Sequence, residues 1–139
     1  MHLRDTERAT TLLERSLEDF RALDDTVGVA SCLTTQALLA LNSGQLEQGV
    51  ALGRAAYAAN VQLGNRRSAA VALHNMACCL AHLGRRTEAR TGLEDSLREF
   101  RELGDIENVV DGLVELAELA IKCGARTTRP VRSSSFERA

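Results

Sequence analysis

The ten residues SLREFRELGD, Ser96 to Asp105, decide how this chain is read, because the chain nearly repeats them. SLEDFRALDD occupies Ser16 to Asp25, and AYAANVQLGN, Ala56 to Asn65, stands midway with Leu63 and the small-then-polar ending kept. In a 40-residue register without gaps, Gly44, Gly84 and Gly124 coincide, as do Leu33, Leu73 and Leu113, then Ala37, Ala77 and Ala117. Leu23, Leu63 and Leu103 share a column, and so do Asp25, Asn65 and Asp105. Ala9 and Ala89 flank Gly49 in another. Repetition at roughly 20 to 50 residues marks a solenoid, in which stacked units cover the apolar faces that one unit alone leaves bare.

Inside each unit the apolar spacing is helical. Ala69, Ala72, Leu73, Met76, Ala77, Leu80 and Leu83 follow a three-and-four rhythm, and Ala89, Leu93, Leu97 and Phe100 do the same. Gly84, Gly64 and Gly104 supply stops, since glycine enters the left-handed conformation without a Cβ penalty. Asp24 takes that place in the first copy, a poorer choice. Asn65 and Asp105 then stand where a side chain caps the next helix. The unit is therefore two antiparallel helices. Six are predicted, at about 6–23, 26–43, 46–63, 66–83, 86–103 and 106–123. The fold class is all-α, an α-solenoid. Residues 1–125 form the repeat domain: a half unit 1–25, units 26–65 and 66–105, and a final half unit 106–125. Residues 126–139 hold four Arg against one Glu, with Pro130 where a helix would propagate, and are expected to be a disordered basic tail.

Composition narrows the function classes. The 139 residues are 45% hydrophobic and 26% charged with a formal net charge of −2, which gives no general attraction to nucleic acid or acidic lipid. No apolar run approaches the roughly 18 to 20 residues that span a bilayer, and the N-terminus has no uninterrupted apolar stretch of a secretory leader. Cys32, Cys78, Cys79 and Cys123 include no CxxC pair, so they read as thiols packed as small hydrophobes in a reducing cytoplasm. There is no Gly-rich phosphate loop, G-x-S-x-G or H-E-x-x-H, and the expectation is a chain that is not an enzyme and uses no cofactor.

Leu73, Ala77, Gly84 and Ala89, with Leu33, Ala37, Gly44 and Gly49 nearly matching, resemble the tetratricopeptide repeat (TPR). The 40-residue unit with its LGD ending is similar to the long subtype found in bacterial ATP-dependent transcriptional regulators and in polarity scaffolds. The chain departs from the family pattern where Leu or Ala fill its Trp and Tyr columns, and where its late Pro is missing. The resemblance implies a cytoplasmic protein–protein interaction scaffold whose first helix in each unit lines a concave groove for a peptide or partner helix. By register the groove residues are Ser31, Thr34, Leu38, Leu41 and Asn42, then Val71, His74, Cys78, Ala81 and His82, then Asp111, Val114, Glu118, Ile121 and Lys122. Such a floor suits a segment with apolar anchors and a basic residue near Asp111 and Glu118.

Two alternatives stand beside it. Bare end helices would make the chain a self-association module, a homodimer. His74, Cys78 and His82, each four apart on one helical face, would instead make a metal, small-molecule or peptide-signal sensor. Three ligands on one straight helix span about 12 Å, so at most two reach one ion, and no metal site is assigned.

Overall fold

The computed structural model describes the backbone of residues 3–138 and the side chains of residues 4–122. The helices are α1 (Leu3–Ala22), α2 (Thr26–Asn42), α3 (Leu46–Gln62), α4 (Arg66–His82), α5 (Arg86–Leu103) and α6 (Ile106–Arg138). Among the described residues there is no strand, and each helix packs on the next, as a helical repeat requires. α2 also touches α4, and α4 touches α6, whereas the backbones of α1, α3 and α5 stay apart from one another. The even helices thus form the inner row of the stack and the odd helices its outer row.

One turn is used five times. At each, the residue after the turn donates its N–H to a carbonyl five positions back: Asp25 to Phe20, Gln45 to Ala40, Asn65 to Asn60, Arg85 to Leu80 and Asp105 to Phe100, at 2.9 or 3.0 Å. The residue before it donates to the carbonyl three back, closing the paired bonds of a Schellman cap. That geometry puts Gly44, Gly64, Gly84 and Gly104 at φ between 70° and 84°, and it forces Asp24 to φ 55°. A non-glycine residue there carries about 1 kcal/mol or more of strain.

Among the described residues, side-chain caps occur at the even helices and not at α3 or α5. Gly28 N–H donates to Asp25, Ser68 N–H to Asn65 and Asn108 N–H to Asp105 at 2.9, 3.1 and 3.3 Å. Gln45 and Arg85, which open the odd helices, make no such bond. This alternation turns a 20-residue helix spacing into a 40-residue repeat.

The core centres on α4, whose Ala70, Ala72, Ala77, Cys79 and Leu80 are all buried. Cys79 faces α3, where its Sγ occupies the space a Cβ on Gly49 would need. Cys32, Cys78 and Cys79 are free and buried, as small hydrophobes are. Asn60 stands in the column of Phe20 and Phe100 and is itself buried. Its amide donates to the Thr34 hydroxyl at 3.1 Å and to the Ala56 carbonyl at 2.8 Å, so a polar group sits in the core without an unmet donor.

The sequence-based stop at Gly124 is not where the last helix ends. The α6 backbone continues through Pro130 to Arg138. A proline inside a helix forfeits one hydrogen bond and costs about 3 kcal/mol, which weakens a helix without forbidding it. The side chains of 126–139, expected to form a basic tail, lie outside those described. No helix among the described residues is long and apolar enough to cross a membrane.

Candidate functional site

The inner row brings parts of α4 and α6 together. His74 on α4 lies within the electrostatic reach of Asp111 and Glu115 on α6. One turn further along α4, Cys78 hydrogen-bonds to Glu115 and lies near Glu118. Burial pushes the Cys78 thiol up to about 12, with Glu115 adding to the shift. At neutral pH it is a protonated, unreactive thiol and a poor metal ligand. Burial holds the His74 imidazole below its usual value, against the opposing pull of Glu115 and Asp111. Its Nδ1 is buried without a hydrogen-bond partner. At neutral pH the imidazole is therefore neutral and adds no positive charge beside these carboxylates.

The other predicted groove positions divide by unit. Ser31, Leu38 and Asn42 are exposed and Leu41 is half-buried. Thr34 turns into the α2–α3 contact, donating to the Ala30 carbonyl at 2.8 Å while accepting from Asn60. On α4, Val71 and Ala81 are half-buried, Cys78 is buried and His82 is exposed. On α6, Asp111, Val114, Glu118, Ile121 and Lys122 are all exposed. The helical face that held His74, Cys78 and His82 thus separates into a half-buried imidazole, a buried thiol and an exposed imidazole. Among the described residues no group of three or more His, Cys, Asp or Glu is placed to hold a metal ion.

Two concavities were not foreseen. A cleft of about 380 Å³ lies on the outer row, where α3 and α5 splay over α4. Tyr57, Val61, Ala70 and Leu73 form its apolar wall. Its rim is the fork of Arg66 onto Glu99 at 3.0 and 3.1 Å and onto Glu102 at 3.1 Å, with Arg98 paired to Asp95 at 3.2 Å. The only visible signal for it is Tyr57, the sole tyrosine, in a column that otherwise holds Leu17 and Leu97. A wider polar depression of about 560 Å³ is lined by Thr10 and Glu14 of α1 and by Asn42 and Gln45. Neither places a nucleophile beside a base.

The His74 environment sets a pH dependence. Its folded value lies below the unfolded one, so the unfolded chain binds the proton more readily. That stabilising difference is fully present above about pH 6.5 and is lost as the pH falls below it. Glu99 and Asp105 are held down by Arg66 and Asn108 respectively, so their contributions are present above the ordinary carboxylate values and are lost as the pH falls through and below them. Between pH 7 and 5 the unfolding free energy should fall for the native chain and fall less for His74→Gln. Equal slopes in denaturant titrations would exclude His74 as the source.

Comparison with known protein families and with curated proteins found nothing that matches this chain.

Proposed function

We propose that the chain is a TPR-type interaction scaffold, part of a bacterial regulatory protein, that binds a basic, amphipathic peptide or helix on its inner row. The observation that carries this reading is the carboxylate group Asp111, Glu115 and Glu118 gathered beside a neutral histidine. Exposed Leu38, Val114 and Ile121 stand on the same helix row. Fold alone does not select a partner, and it is the charge and apolar character of this surface that support a basic, amphipathic one. An apolar anchor would gain from covering Leu38 or Val114, and a Lys or Arg beside it would meet acid, with Lys122 the one cation among the described side chains of α6. The 40-residue unit and its Leu, Ala and Gly columns support the TPR assignment.

The test is fluorescence anisotropy with a Leu- and Arg-containing helical peptide and its Glu-for-Arg counterpart. The basic peptide should bind saturably, the acidic one should not, and affinity should fall with added salt. Glu118→Arg should weaken binding about fivefold or more, in the range of a charge reversal at a partly exposed contact. Equal affinity for both peptides, or indifference to Glu118→Arg and His74→Ala, would exclude the inner row as the site.

A further inference from the structure

The faces of α6 and α1 that remain bare are complementary halves of the interface the chain already uses inside itself. In α2 and α4 the columns Ala30/Ala70, Ala37/Ala77 and Ala40/Leu80 are buried under the odd helix that follows, and Leu33 is 7% exposed. The same columns in α6 are Val110, Leu113, Ala117 and Ala120, and all four are exposed, Val110 at 51% and Leu113 at 44%. On the odd helices, Ala89, Leu93, Ser96 and Phe100 of α5 are fully buried. Their counterparts on α1, Ala9, Leu13, Ser16 and Phe20, are only half-buried, and Leu12 beside them is 63% exposed. α6 thus lacks an odd helix, and α1 lacks an even one.

We propose that a second copy of this chain supplies the missing helix, head to tail, with its α1 seated on α6 in the register of α3 on α2, the pair that carries a leucine where α5 has Gly92. The occupant is identified by side-chain and charge complementarity. In that register Leu12 of the second copy takes the place of Leu52 and Ala117 that of Ala37, and Leu52 packs with the buried cluster that holds Leu33 of α2. The internal ion pair Arg54–Glu88, at 3.9 Å between α3 and α5, maps onto Glu94 of one copy and Arg8 of the next. The charges are exchanged, yet they remain opposite. A contact between unlike faces does not close on itself, so each added copy presents a fresh α6 and the assembly lengthens with concentration.

Light scattering on the full chain over about a hundredfold concentration range tests this. The native chain should rise from monomer mass through dimer to longer species. Ala117→Arg and Leu12→Arg, both at exposed positions that leave the monomer's core intact, should each hold the chain at monomer mass, with association weakened about a hundredfold or more. Mixing the two variants should restore a heterodimer that stops at two, because each retains one native face. Glu94→Arg should weaken association about two- to fivefold, and Arg8→Glu in the same chain should restore it. A native chain that stays monomeric throughout overturns the proposal and leaves the face to another protein. A Leu12→Arg chain that still dimerises alone overturns it in favour of α6 pairing with α6. Failure of the mixed variants to combine overturns it as well. Circular dichroism melts that match the native chain confirm that each variant is folded.

Discussion

Phe100→Ala should lower the stability of the fold by about 3–5 kcal/mol, with a fall in melting temperature of roughly 10 °C or more. Phe100 is fully buried, and its carbonyl accepts the Asp105 N–H that closes the α5–α6 turn. Removing the ring leaves a cavity at the junction of two units, and helices held by their turn can relax into it only in part. The control lies within the same chain. Phe20 occupies the same column eighty residues earlier, but it is only half-buried, with its ring over Gly28. Phe20→Ala should therefore cost about half as much, since part of its surface is already in water. Thermal and denaturant unfolding of both variants decides the matter. Equal losses would mean that the columns, rather than the neighbours each residue meets, set its energetic weight.

That contrast also shows what the sequence could reveal and what it could not. The turn residues were legible because a left-handed backbone is a local demand, met by Gly44, Gly64, Gly84 and Gly104 and strained at Asp24. The helices between them follow from those stops and from the three-and-four rhythm, so the expected bounds of α2 to α5 agree with the structure to within a residue. Asn60 was opaque. Its place in a phenylalanine column makes sense only once the Thr34 hydroxyl is seen across the α2–α3 contact. The same contact takes Thr34 out of the open groove face to which the register assigned it. A helical wheel can say which residues share a face, but not which neighbour covers it. Glu115 illustrates the converse: its nearness to both His74 and Cys78 needs the spacing of α4 and α6, which no single helix contains. The end of α6 was missed because Gly124 and Pro130 are read as stops, though each only adds a cost to a helix that can continue.

Gly53→Leu should destabilise the chain by about 3 kcal/mol or more, while Gly112→Ala should stabilise it by up to about 1 kcal/mol. Both glycines lie inside helices, where alanine is intrinsically better by about 1 kcal/mol, so their sequence context predicts the same sign for filling either one. The structure separates them. A Cβ on Gly53 would stand 2.8 Å from the Met76 Cβ and 3.3 Å from its Cα, atoms that no rotamer change can move. α3 and α4 would have to part, and that loosens the pair of helices on which both neighbouring units pack. A Cβ on Gly112 would meet only Leu97, its Cδ1 at 3.5 Å and its Cβ at 3.9 Å, both ordinary contacts, and would add apolar surface against α5. Gly92 offers a direct check on the mechanism. Its added Cβ would lie 2.9 Å from the Ala77 Cβ, so Gly92→Ala should be harmful alone and largely rescued by Ala77→Gly. If the double variant simply sums its single losses, the close approach of α4 and α5 is not what keeps position 92 a glycine. If it recovers, the repeat is held together where its columns shrink to a hydrogen or a methyl group, and the bulky residues pack around those crossings.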